Sequence, residues 1–219
     1  MAAGRFADFV DPRCASVRFH APVPLDAELR ARRLDDPTVV EIVDGASLVA
    51  TVSPYAPRPV SVRRGSPDDV AAAQQGWCTD VASDHPFPTC YVCGPQRRDG
   101  LGLRPGPVAD GDRHLTVWSP GTGGDVDPWL VWAALDCPSG MPALAAVAGD
   151  ELVVTGTLAV SIDAPVPGDE ELQIVSRLVD RSGRKLATEA ALFDATGRTL
   201  ATCTAMWFAL PRVQMEQVA

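Results

Sequence analysis

A chain of 219 residues with 46% hydrophobic and 21% charged residues has the composition of a globular protein rather than a disordered or fibrous one, and its length falls between one large domain and two small ones. A formal net charge of −9 offers no broad attraction to phosphate backbones or anionic lipid, so neither nucleic acid nor membrane is an expected partner. Arg5 and Asp8 lie where a secretory core would be apolar, which predicts no signal peptide and a cytoplasmic protein. The cysteines at 14, 78, 90, 93, 137 and 203 are then read as reduced thiols, able to pack as small hydrophobes.

Along the chain, Phe6, Phe9 and Val10 fall at helical spacing and read as the last turns of a helix. The run from Val17 to Leu29 then matches the run from Val160 to Leu172 at a constant offset of 143, and Leu48–Thr51 matches Thr199–Thr202 with the offset grown by eight. Two copies of one unit are therefore expected, each a strand, a Pro-x-Pro corner and three further strands. The polar, unpatterned stretch after the first copy reads as a linker. These boundaries divide the chain into an N-terminal unit (1–62), a linker (63–84), a complete unit (85–210) and a tail (211–219).

In the second unit, a short strand from His114 to Ser119 precedes an apolar run from Pro128 to Gly149. That run approaches membrane-spanning length, but Asp136, Pro138 and Pro142 in its middle mark it as a buried core helix instead. Asp127-Pro128 supplies an N-cap residue and the proline favoured at the first helical position. Pro138 should free the Ala134 carbonyl and kink or interrupt the helix. Strands follow by alternation: Leu158, Val160 and Ile162; Leu172, Ile174 and Leu178; then Leu200, Thr202, Thr204, Met206 and Phe208. Arg181-Ser-Gly183 and Ala195-Thr-Gly197 are the turns between them.

A strand, a buried helix and four antiparallel strands form the hotdog pattern. Cys90-Tyr-Val-Cys-Gly-Pro-Gln-Arg-Arg-Asp-Gly-Leu-Gly-Leu103 resembles the Cys-x-x-Cys-Gly…Gly-Leu opening of many hotdog acyl-CoA thioesterases. The stretch Asp127 to Asp136 is similar in spacing to the His-Gly-Gly…Asp helix of PaaI-like thioesterases. The resemblance implies an α+β fold with an antiparallel sheet around a central helix. With the internal repeat it implies a tandem, or double, hotdog whose N-terminal unit is incomplete. It also implies hydrolysis of an acyl-CoA or acyl-carrier thioester without a cofactor. A homodimer of double-hotdog chains is a further expectation, because the incomplete unit leaves strand edges open.

Asp136 is the one ionisable group on its apolar helix, and a desolvated carboxylate there suits a general base or a nucleophile. The competing reading is an Asp that caps a restarted helix through the Ser139 and Gly140 amides. By the resemblance, the Trp129 amide would polarise the thioester carbonyl. Asp127-Pro128-Trp129 replaces His-Gly-Gly, however: Pro128 removes one donor and Asp127 would repel an oxyanion near it. That departure motivates a second functional reading, a non-catalytic acyl-thioester or lipid-binding module. His85-Pro-Phe-Pro88 supplies a third, a hotdog dehydratase. Arg97, Arg98 and Arg104 form a basic group able to pair with coenzyme A phosphates, or simply solvated loop charge. Cys78, His85, Cys90 and Cys93 are metal ligands by type, but a single Cys-x-x-Cys reads first as packed thiols, and no metal is expected. His20 and His114 are placed in strands, and the tryptophans in the core.

Overall fold

The computed structural model describes residues 2–80 and 85–215. Helix α1 (Ala2–Ala7) leads into four strands, β1 (Cys14–Phe19), β2 (Arg30–Arg33), β3 (Val40–Asp44) and β4 (Ser47–Pro54). Helix α2 (Pro67–Asp80), the two-residue β5 (Gly106–Pro107), β6 (Arg113–Trp118) and the long helix α3 (Pro128–Ala145) come next. After β7 (Glu151–Ile162), β8 (Leu172–Ser182), β9 (Lys185–Phe193) and β10 (Thr199–Pro211), the chain ends in the short α4 (Arg212–Met215). The architecture is α+β, with one antiparallel sheet of ten strands in the order β2-β3-β4-β1-β7-β10-β9-β8-β6-β5. None of the described helices is long and apolar enough to cross a membrane.

Helix α3 is apolar on nearly every face, with Leu130 through Leu135 and Pro138 through Ala143 all buried, so it needs cover on all sides. The sheet covers it with Leu158, Val160, Leu172, Ile174 and Leu192, and α1 adds Ala3, Phe6 and Ala7 from the other flank. The alternation in β10 is real, but the buried face carries Ala201, Cys203, Ala205 and Trp207, not Thr202, Thr204, Met206 and Phe208. Small residues are needed there because the helix approaches closely: the Trp207 ring lies so tightly over Gly140 that a Cβ would stand 2.7 Å from it. Tight turns close the hairpins, with Gly183 at φ +59° and Gly197 at φ +89°, values that glycine adopts without strain.

The helix does not break at Pro138. It runs continuously to Ala145, and its proline cost appears one turn later. Pro142 has no N–H for the Pro138 carbonyl, and the Ser176 hydroxyl of β8 donates to that oxygen at 2.7 Å.

Residues 63–84 hold a fourteen-residue helix where a linker was expected. The Ser66 hydroxyl accepts the Asp69 amide at 3.1 Å, while Asp69 Oδ2 accepts the Ser66 amide at 2.9 Å, a reciprocal N-terminal cap. Pro67 opens the helix, Asp68 and Asp69 complement its positive end, and the alanines that follow favour it. Because α2 is polar overall it gives little periodic signal; it docks through Ala73 onto Leu115, Val175, Ala191 and Phe193, the sheet face opposite α3.

Both sheet edges are blunted. Strand β2 is four residues long with Arg30, Arg32 and Arg33 exposed, and β5 ends in Pro107. The Ser176 bond yields a stability prediction. Ser176→Ala should cost about 1–3 kcal/mol in urea unfolding, because it strands a buried carbonyl inside α3, whereas Ser182→Ala at the exposed end of β8 should stay within about 0.5 kcal/mol of wild type.

Candidate functional site

The central portion of α3 gathers most of the chemistry. Asp136 is part-buried, and its Oδ1 accepts the Thr155 hydroxyl from β7 at 3.2 Å. Burial is the main force pushing its carboxyl above the usual range, and the neighbouring Cys90 sulfur adds to it. The capping reading fails, because α3 does not restart and the Ser139 and Gly140 amides belong to its own ladder. Ser139 instead sends its hydroxyl to the Asp136 carbonyl at 2.8 Å. Thr155 was missed in the sequence; only its place across from the helix distinguishes it from other strand threonines.

Asp127 is the exposed N-cap of α3 and makes no side-chain capping bond. Trp129 lies beneath the Arg5 guanidinium, 4.4 Å from its ring centroid, and a Cβ on Gly4 would stand 2.8 Å from the Trp129 Cα. The bulk of Trp129 thus packs α1 onto the start of α3. Among the described residues the Trp129 amide has no acceptor. It stands seven residues from Asp136, which at about 1.5 Å per residue is roughly 10 Å along the axis. The Trp129 amide and Asp136 are thus set two turns apart on one helix.

The arginines do not converge. Arg97 is exposed, bonded to Asp99 at 2.8 Å and poised over the Tyr91 ring, and Arg98 is exposed beside it. Arg104 lines a different feature, an open cavity of about 340 Å³ between α2 and β6 with Val70, Ala73 and Gln74.

The segment around Cys90 is held without regular secondary structure. The Gly94 amide donates to the Cys90 carbonyl at 2.9 Å, and the Leu101 and Leu103 amides donate to the Tyr91 and Val92 carbonyls at 2.7 and 2.9 Å. A Cβ on Gly94 would lie 2.4 Å from the Cys90 nitrogen, so this position of the Cys-x-x-Cys-Gly motif has no room for a side chain. The fold brings Cys90 and Cys93 together with Cys137 of α3, and the three Sγ atoms lie within 4.8 Å of one another. Thiol contacts from Cys137 and then Cys93 favour ionised Cys90, whose pKa is lowered to about 2, while Cys137 is held protonated by those contacts and by burial. His85 packs on Trp77, and its Nδ1 accepts the Phe87 amide at 3.1 Å. The Cys78 side chain lies outside the described residues.

No protein-family model matches the chain, and no curated protein does. Solved structures do. The tesB protein of Mycobacterium avium subs paratuberculosis aligns with 96% of this chain and 83% of its own length, at 15% identity and TM-score 0.58. Acyl-CoA thioesterase II TesB2 from Mycobacterium marinum aligns with 95% and 87%, at 15% identity and TM-score 0.56. A thioesterase superfamily protein is 21% identical over 55% of this chain at TM-score 0.46, and the chain spans 60% of its length. The two mycobacterial structures thus share this chain's α+β fold, with its large antiparallel sheet, over nearly its whole length.

A second cavity, about 540 Å³ and open, lies at the far end of α3 between Pro142, Ala145, His114 and Arg177. His114 beside it is buried and its Nδ1 has no partner among the described residues. Burial lowers its pKa to about 4. As pH falls below about 6.5, the unfolded chain takes up this proton and the folded chain resists it, so stability is lost down to about pH 4. Urea unfolding at pH 7 and pH 4.5 should show His114→Gln losing about 2–3 kcal/mol less than wild type over that interval.

Proposed function

We propose that the chain is a double hotdog with an incomplete N-terminal unit (1–62) and a complete one (85–210), and that it hydrolyses an acyl-CoA or acyl-carrier thioester at Asp136. The doubling is supported by the strand order, which runs β1-β4-β3-β2 one way from the centre and β7-β10-β9-β8 the other. At the centre Ser16 faces Ala159, and these two residues are themselves related by the sequence offset of 143.

The observation that carries the activity is the Asp136 carboxylate, desolvated midway along an apolar helix and held at Oδ1 by Thr155. Thr155 fixes its orientation. As a base, Asp136 takes a proton from a water that attacks the carbonyl carbon. The tetrahedral intermediate collapses by breaking the C–S bond, and the departing sulfur receives the proton, giving a carboxylic acid and a thiol. As a nucleophile, it forms a mixed anhydride that water then cleaves to the same products. Both routes need an ionised carboxylate.

The binding-module reading keeps one observation in its favour. The helix start that would polarise a carbonyl is packed under Arg5 and stands two turns from Asp136. The dehydratase reading gains nothing, because His85 bonds the Phe87 amide and makes no hydrogen bond to Asp136.

Thiol release from short, medium and long acyl-CoA substrates, followed by chromatography so that protein thiols do not interfere, tests the proposal. Asp136→Asn should melt near the wild-type temperature and lose about 10²–10⁴ in turnover. Thr155→Val should lose about ten- to a hundredfold, as expected from the roughly 1.5–3 kcal/mol of a hydrogen bond to a charged group. Unchanged turnover in folded Asp136→Asn rejects the residue, and no turnover by wild type across the panel favours the binding module.

A further inference from the structure

We infer that Cys90, Cys93 and Cys137 form a thiolate site for a zinc ion, which clips the segment around Cys90 to helix α3. The sequence offered one Cys-x-x-Cys and no second pair; the third sulfur becomes visible only when the chain folds, since Cys137 lies 47 residues from Cys90. Their Sγ atoms are 3.4 Å apart, and all three sulfurs fall within 4.8 Å of one another. Tetrahedral zinc with Zn–S bonds of about 2.3 Å spaces its sulfurs about 3.8 Å apart, so small side-chain adjustments let one ion touch all three.

Two further features favour a ligand over simple packing. The Gly94 amide donates to the Cys90 carbonyl at 2.9 Å, closing the turn that sets the Cys90 and Cys93 sulfurs near each other. Gly94, with no room for a Cβ, keeps this turn closed. The surroundings are apolar: Trp77, Met141 and Leu144 pack around Cys93 and Cys137. Without a cation, more than one ionised sulfur in that shell, beside Asp136, would be strongly disfavoured; a divalent ion neutralises the charge that its own ligands acquire. Binding therefore displaces the thiol protons that Cys93 and Cys137 carry, and the three sulfurs supply three of the four positions that tetrahedral zinc takes. The metal orders a segment that otherwise relies on a few backbone bonds.

The inference is independent of the thioesterase reading, because its readout is metal binding. Full-length reduced protein, freed of metal with a chelator, is titrated with Co²⁺ as a spectroscopic probe and then with competing Zn²⁺. The expected result is one equivalent bound, with thiolate-to-cobalt charge-transfer absorption displaced by zinc, a raised melting temperature and proton release. Cys137→Ser and Cys93→Ser should each weaken binding by at least the roughly 10–100-fold that follows loss of even an indirect metal contact, while Cys14→Ser binds as wild type does. Circular dichroism of each metal-free variant confirms that it is folded; the folded one of the two decides. Absence of the thiolate–cobalt band in folded wild type overturns the inference. So does affinity unchanged in a folded Cys137→Ser or Cys93→Ser, or protein that purifies metal-free with Cys90 and Cys137 joined in a disulfide.

Discussion

The structure turns on helix α3, whose buried residues lie on nearly every face. Burial on one side would leave the other side in water, so the helix demands a sheet broad enough to cover it and a second element to close the remaining flank. Strands β6 to β10 supply the first and α1 the second. The sheet in turn answers to the helix: Gly140 and the small residues of β10 set how near it can come, and Ser176 repairs the carbonyl that Pro142 leaves without a donor. The same helix that organises the core therefore fixes which residues of the sheet can face it.

A charge within such a helix is costly unless something holds it, and Asp136 shows how this chain manages one. Thr155 reaches it from β7, and the group is left part-exposed rather than sealed. An arrangement built only for stability would place an apolar residue here, since an uncharged side chain of similar size avoids the desolvation that raises the Asp136 pKa. That is the physical ground for assigning chemistry to this position and not to His114, which is also buried and shifted but lies at the other end of the helix, beside an open cavity that Asp136 does not line.

What could be read from the sequence followed its periodicities. The β7 and β8 strands, the Gly183 and Gly197 turns that bracket β9, and the start of α3 all rest on local patterns, and the two matched runs fall on β1 and β4. Three features escaped. Helix α2 is polar with a weak apolar stripe, although Ser66-Pro67-Asp68-Asp69 contained its complete start signal. The buried face of β10 was misjudged because bulk suggested Met206 and Phe208, whereas close approach to α3 selects alanine and cysteine. Thr155 and Cys137 carry no local signature, as their roles arise from partners distant in the chain.

The Cys-x-x-Cys-Gly segment shows why a motif and its function separate at this level. Its first requirement is backbone: Gly94 closes the turn, and Leu101 and Leu103 return to pair with Tyr91 and Val92. That requirement alone would account for the glycines and for buried Leu103, but not for two cysteines facing a third on another element. Packing could use alanine or valine at those positions with no thiol to keep reduced. The convergence of sulfur next to Asp136 therefore marks the segment as more than a cover. It joins α3 to the C-terminal half of α2 through Trp77, so whatever fixes the three sulfurs also fixes the wall beside the carboxylate.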